Sequence, residues 1–336
     1  WGSLWAMLPK GGDAIWGAGA DLPARNQDEE SSSSAGNDPS PTAPLITFTS
    51  SSTEQALQGC QAPTFPTAAP SLGVCEPSPT EERIKGFSSL KEASVQQTID
   101  FLVDWGNGAG PALANSHFFS FQKKEGNLNA ETHWHDPTVT PLPHAPSMNI
   151  FCLYGVGLET ERSYHYQRNC EKTDQDDHDD TSCKQPIDLP FVTDPTVSDP
   201  SQSIHHGVQF VDGDASVPLL SLGYMCAGPW AKKGKLNPSG TRVVTREYAN
   251  RNEFSVEDPM RGGPFSADHV DILGNVDMTE DILRIVTGHE LEKIPTRIVS
   301  DIENIANRLD KDTAKAKQRP FAQLSNAELM ELASFI

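Results

Sequence analysis

The chain has 336 residues, enough for one large domain or two small ones, and its 36% of hydrophobic residues is low for a globular protein. A net charge of −20 argues against a nucleic-acid partner, which needs a basic patch, and against simple adsorption to anionic lipid headgroups. No apolar run reaches the roughly 18 to 20 residues of a membrane helix. No signal peptide opens the chain, and the first residue is Trp1 rather than Met, so the sequence is expected to begin inside a longer protein.

Residues 1–20, rich in Trp, Gly and apolar side chains, read as an ordered segment packed on something larger. Residues 21–80 change character. A serine run at Ser31 to Ser34 and recurrent prolines predict disorder, because such a stretch buries too little to offset its chain entropy. A short apolar island at 45–48 is the one piece that could touch the fold. Residues 93–105 predict a helix with Val95, Ile99, Leu102 and Val103 on one face, ended by Gly106, Gly108 and Gly110. A Pro-rich link spans 137–146.

Strand signals follow. Residues 148–154 (MNIFCLY) form a short apolar run that suits a buried parallel strand. An acidic loop lies between Cys170 and Cys183. Residues 207–211 predict another strand ending in Asp212-Gly213-Asp214, and the β-branched 241–248 (TRVVTREY) a further one. After His269 the pattern turns helical. Asp277 and Glu280 have capping-box spacing, Ile282, Ile285 and Val286 form an apolar stripe, and Gly288 suits the stop. Two tail helices are expected, one striped by Ile298, Ile302, Ile305 and Leu309, the other capped by Ser325 with Glu328.

Chemistry concentrates in two segments, 210–218 (FVDGDASVP) and 267–275 (ADHVDILGN). In each, a titratable residue follows a predicted strand and precedes a helix, which is where open α/β sheets carry their sites. An acid followed in chain order by a histidine, here Asp214 and then His269, is the order of an α/β-hydrolase. On pattern alone Asp214 could equally cap a turn, and His269 could be an ordinary hydrogen-bonded histidine near a helix start.

Five stretches together carry a resemblance: WGSLWAMLPKGGDAIWG at the start, FCLYGVGLETERSYHY at 151–166, QFVDGDASVPLLSLGYMC at 209–226, NPSGTRVVTREY at 237–248, and ADHVDILGN. In order and in combination these resemble the phospholipid:diacylglycerol acyltransferases of the lecithin:cholesterol acyltransferase family. The resemblance covers most of 1–20 and 81–290. It implies an α/β fold, the C-terminal portion of an α/β-hydrolase. Residues 1–20 would lie near the active-site mouth, 21–80 would be a disordered insertion, 81–145 an inserted cap, 146–290 the C-terminal half of the hydrolase domain, and 291–336 a helical tail.

The implied reaction moves an sn-2 acyl group from phospholipid to diacylglycerol, with Asp214 as catalytic acid residue and His269 as base. It needs no cofactor or metal, and its partners are phospholipid, diacylglycerol and a membrane surface, with no nucleic acid. The endoplasmic reticulum is the family expectation, with a plastid as the rival. Asp268 stands where a small residue is expected from the resemblance and puts a charge beside the base. No G-x-S-x-G occurs in the chain, so the nucleophile is expected upstream and the chain by itself is expected to be inactive and to fold poorly. Cys152 and Cys226 match the family positions of a disulfide. A related phospholipase or sterol acyltransferase, and a noncatalytic truncated product that binds lipid, remain the alternatives.

Other features read more blandly. Cys170 with Cys183 could pin the acidic loop, and Cys60 and Cys75 are free or mutually paired. His178 sits among aspartates in what reads as a solvated loop, and His133 and His135 flank Trp134 as surface residues. Trp1, Trp5, Met7, Leu8 and Trp16 line an acyl pocket or simply pack a core.

Overall fold

The computed structural model describes residues 9–16, 44–49, 84, 86–88, 90–105, 136–168, 191–251, 262–288 and 291–317. The cysteines at 60, 75, 170 and 183, the histidines at 133, 135 and 178, Trp1 to Leu8 and the second tail helix lie outside these residues. Within them the helices are α1 (Gly12–Trp16), α2 (Val95–Trp105), α3 (Leu219–Ala227), α4 (Val276–Val286) and α5 (Ile302–Lys317). The strands are β1 (Ile46–Phe48), β2 (Glu92–Ala93), β3 (Asn149–Val156), β4 (Leu158–Arg168), β5 (Phe191–Thr193), β6 (Ile204–His205), β7 (Val208–Gly213) and β8 (Arg242–Ala249). The fold is mixed α/β, and the chain divides into two compact units.

The second unit comprises residues 16–111 and 162–210. The strands that lie in it wholly or in part run in the order β2-β1-β4-β7-β6, with β5 paired to β4. Within the stretch expected to be disordered, Ile46–Phe48 instead forms β1, parallel to β4 and antiparallel to β2. Burial of Ile46 and Phe48 stabilises it: Phe48, Phe87, Phe101 and Phe191 pack ring on ring, with Phe87 stacked on Phe101 at 4.1 Å. Helix α2 buries Val95 and Ile99, whereas Leu102 is exposed, so its inward stripe is narrower than the sequence suggests.

The first unit comprises residues 1–15, 112–161 and 211–336. Strands β3 and β8 pair in parallel from Asn149–Arg242 through Val156–Ala249. The backbone at Arg297 lies along the far side of β8, accepting from the Glu247 amide and donating to Thr245. Among the described residues the other edge of β3 is paired with no strand, and Ile150, Phe151 and Leu153 on it are only half-buried. A disulfide joins Cys152 on β3 to Cys226 on α3.

The first part of the tail packs on this unit. Ile302, Ile305, Ala306 and Leu309 of α5 are buried, while Ile298 precedes the helix. At Gly223 a side chain would collide with Tyr154 and Ile302, so glycine is what lets α3 sit this close. Glu247 anchors the entry to α5. Its carboxylate, 1% exposed, accepts from the Tyr154 hydroxyl at 2.9 Å, the Val299 and Ser300 amides and the Ser300 hydroxyl. A buried carboxylate is tolerable because four donors replace its water.

A candidate acid–imidazole site in the first unit

Strand β7 delivers Asp212 and Asp214 to its C-terminal end, where they do different work. Asp212 accepts the Gly157 amide at 2.7 Å and so fixes the turn between β3 and β4, where Gly157 has φ +94°. Partial burial pushes the Asp212 carboxyl above the usual range. Asp214 is buried at 4% exposure. Its Oδ1 accepts the Ser216 and Val217 amides at 3.1 and 2.7 Å, an Asx-type turn that locks the carboxylate against rotation. Its Oδ2 is thereby left pointing at one partner, the Nδ1 of His269, at 2.7 Å.

The turn after Asp214 is strained. Ala215 has φ +71°, a left-handed conformation that costs roughly 1 to 2 kcal/mol for a residue with a Cβ. The buried Thr160 hydroxyl offsets part of that cost by accepting the Ala215 amide at 2.9 Å while donating to the Leu158 carbonyl at 3.1 Å. Gly213 is required here as well, since a side chain would collide with Thr160 and the Val217 carbonyl.

His269 sits in the loop between β8 and α4. Its amide donates to the Asp214 carbonyl at 2.9 Å, so residues 214 and 269 are joined through backbone and side chain at once. The ring is about half exposed, at 47%. Three residues on in the same loop, Ile272 packs with Tyr248 and Met278, and Leu153 lies against that cluster. Asp268, next to the base, turns its carboxylate into the start of its own turn, where Oδ1 accepts the Val270 amide at 3.1 Å.

The cap of α4 differs from the capping-box expectation. Asn275, not Asp277, is the N-cap, with its Oδ1 accepting from Met278 N at 3.0 Å. The stripe differs too. Met278 and Asp281 face inward, and Ile282, Leu283 and Val286 are exposed. The physical reason is Asp281, which is drawn in by Arg246 Nε and Nη2 at 2.9 and 2.6 Å and by the Tyr248 hydroxyl at 2.7 Å. That charge pair sets the rotation of the helix. Val270, Leu273 and Val276 are exposed as well, so apolar side chains flank His269 along the loop and the outer side of α4.

Sequence reasoning singled out Asp214, His269, Cys152 and Cys226, and the structure brings them together in two pairs. It missed Thr160, Asn250, Asn275 and the Arg246–Asp281 pair. Thr160 was visible inside TER, and an Asn directly before an apolar helical run is an N-cap signal. Nothing local in the sequence points to Asp281 as a buried partner of Arg246. Among the described residues no cluster of three or more His, Cys, Asp or Glu is disposed to hold a metal ion, and no helix is long and apolar enough to cross a membrane.

An imidazole tied through Nδ1 to a buried carboxylate, with the ring accessible, is built to exchange a proton at its other nitrogen. That is chemistry shared by hydrolases and acyl-transfer enzymes, and comparison with known proteins narrows it. The family model described as lecithin:cholesterol acyltransferase matches residues 2–276, and the chain belongs to that family.

Among its relatives is a phospholipid:diacylglycerol acyltransferase of Schizosaccharomyces pombe, 37% identical over 199 residues, covering 59% of this chain and 28% of the relative. Phospholipid:diacylglycerol acyltransferase 1 of Arabidopsis thaliana is 32% identical over 315 residues, covering 86% of this chain and 45% of the relative. The phospholipid:diacylglycerol acyltransferase of Saccharomyces cerevisiae is 27% identical over 297 residues, covering 86% and 34% respectively. The chain thus spans less than half the length of each of these relatives.

Proposed function

We propose that this chain forms the acid-and-base half of a phospholipid:diacylglycerol O-acyltransferase with an α/β-hydrolase fold, the serine nucleophile coming from sequence upstream of Trp1. The observation that carries the proposal is the 2.7 Å contact between His269 Nδ1 and the buried Asp214 Oδ2. Family membership and the names of the relatives support the choice of substrates. Among the described residues no strand pairs with the other edge of β3, and this supports the fold, because a half-buried apolar strand edge suits a further strand from a preceding part of the sheet. The segment 81–145 would then be the cap.

The mechanism follows from the pair. With Nδ1 held by Asp214, Nε2 of His269 accepts the serine proton as Oγ attacks the sn-2 carbonyl carbon. Collapse of the tetrahedral intermediate expels the lysophospholipid oxygen, which takes that proton from His269 and leaves an acyl-serine. The hydroxyl of diacylglycerol then attacks the acyl carbon and gives its proton to Nε2. The second collapse returns the proton to serine and releases triacylglycerol. Asp214 stabilises the imidazolium in both halves. Transfer rather than hydrolysis requires that water be kept from the acyl-serine.

Both substrates are membrane lipids, so the reading includes a membrane surface, with the endoplasmic reticulum as the proposed location. The exposed Val270 and Leu273 in the loop that carries His269 favour contact with a neutral apolar phase over an anionic one. The test is acyl transfer by the full-length polypeptide from a phospholipid labelled in its sn-2 chain, with diacylglycerol, sterol and water competing as acceptors. Label in triacylglycerol supports the proposal. Label in sterol ester or free fatty acid alone overturns it in favour of a sterol acyltransferase or a phospholipase.

A further inference from the structure

The loop that carries His269 is closed by one side chain. Asn275 is 2% exposed, and each of its polar groups is engaged. Its Nδ2 donates to the Ser266 carbonyl at 2.9 Å, on the opposite stem of the loop. Its Oδ1 accepts the Met278 amide and starts α4. Its backbone amide donates to Ile272 and its carbonyl accepts from Thr279, both at 2.9 Å. One residue therefore joins the incoming stem, the turn inside the loop and the outgoing helix.

The loop is aligned from outside as well. The Ala267 amide donates to Asn250 Oδ1 at 2.9 Å, at the end of β8. Val276 N donates to the Pro264 carbonyl at 2.9 Å. Gly155 of β3 lies so close to the Ala267 carbonyl that no side chain would fit. His269 itself is half exposed and has Asp214 as its side-chain partner, so its position depends on the stems more than on packing around the ring.

We propose that Asn275 is a positioning residue for the base, acting through the Nδ2 bond to Ser266; this rests on the reading of His269 given above. The bond fixes the separation of the two stems and, with it, the distance at which the imidazole meets Asp214. Misplacement of a reacting group by about 1 Å is enough to cost on the order of a hundredfold in rate.

Two variants separate this role from that of a helix cap. Asn275→Asp keeps an oxygen for the Met278 amide but sets an acceptor against the Ser266 carbonyl. Asn275→Ser keeps a capping hydroxyl that is too short to reach Ser266. In the full-length polypeptide both are expected to lower kcat at least about tenfold with KM unchanged within about twofold. In a His269→Ala background the same substitutions are expected to change the residual rate by less than about twofold, because a residue acting through His269 has nothing left to position.

A merely structural role would reduce the amount of folded enzyme and would lower the rate by the same factor in both backgrounds, which overturns the proposal. Wild-type kcat in Asn275→Asp and Asn275→Ser overturns it too. If the serine variant fails to fold, the aspartate cycle decides alone. Near-normal activity of His269→Ala by itself would overturn the parent reading and this one together, whereas an inactive His269→Ala beside normal Asn275 variants overturns only this one.

Discussion

Replacing Asp281 by alanine removes the one carboxylate oxygen on which three donors converge. Arg246 Nε and Nη2 and the Tyr248 hydroxyl all meet Oδ2 within 2.9 Å, and the side chains of Arg246 and Asp281 are 10% and 4% exposed. Burial, reinforced by Asp281, already pushes the Tyr248 phenol well above its ordinary pKa. Without the carboxylate, Arg246 keeps a buried charge with no counter-charge from Asp281, facing the neutral Pro295 carbonyl at 3.3 Å and the Tyr248 hydroxyl, and the phenol loses its carboxylate acceptor. Breaking a buried pair from one side costs about 3 to 5 kcal/mol, most of it the charge left behind. Asp281→Asn, which offers an oxygen without the charge, is expected to cost less. Urea unfolding of the full-length protein measures both, and the first unit is where the loss is expected. A loss below about 1 kcal/mol for Asp281→Ala would refute the reasoning, since Arg246 would then be solvated by other means and the rotation of α4 would need another cause.

Three further outcomes are expected. Removing the disulfide by Cys152→Ala with Cys226→Ala, which opens a bridge across 74 residues, should cost about 4.5 kcal/mol in the chain-entropy treatment, read as a lower unfolding midpoint that reducing agent no longer shifts. Gly223→Ala should destabilise by about 1 to 3 kcal/mol through overpacking against Tyr154 and Ile302, and a neutral result in a denaturation series would mean that α3 and α5 can part at no cost. Burial brings the Lys10 ammonium down to about 8, against the pull of Asp136. Unfolding therefore takes up a proton between about pH 8 and the ordinary lysine value of 10.5, and stability gained through this group rises with pH across that window. The difference in midpoint between wild type and Lys10→Met should shrink over the same window; a pH-independent difference would contradict it.

The parts of this chain that were legible in its sequence are those set by local pattern. The apolar run at 148–154 became β3 with a shift of one or two residues, and β8 followed from its β-branched residues, because short strands buried on a sheet announce themselves by composition. Asp214 and His269 were legible by their order after strands. What the sequence left hidden depends on distant partners. Ile282 and Val286 have the spacing of a buried face, yet a single charge pair between Asp281 and Arg246, 35 residues apart, turns that face outward. Asn275 displaced Asp277 as the cap because its amide also reaches Ser266, a bond no capping rule contains. The apolar island at 45–48 stood out of its Pro- and Ser-rich background as a segment that could touch the fold, but its strand form depends on pairing with β4 and on a phenylalanine cluster, both distant in sequence.

The measurement that bears most directly on the account is triacylglycerol formation by full-length His269→Ala and Asp214→Asn, from phospholipid and diacylglycerol in one mixed vesicle preparation. If the 2.7 Å contact is the working acid–base pair, the alanine variant should lose activity by several orders of magnitude and the asparagine variant by about 10⁴-fold, with folding and vesicle binding retained. Near-wild-type transfer by a folded His269→Ala would contradict the account, and the Asp214–His269 pair would then be a structural hydrogen bond.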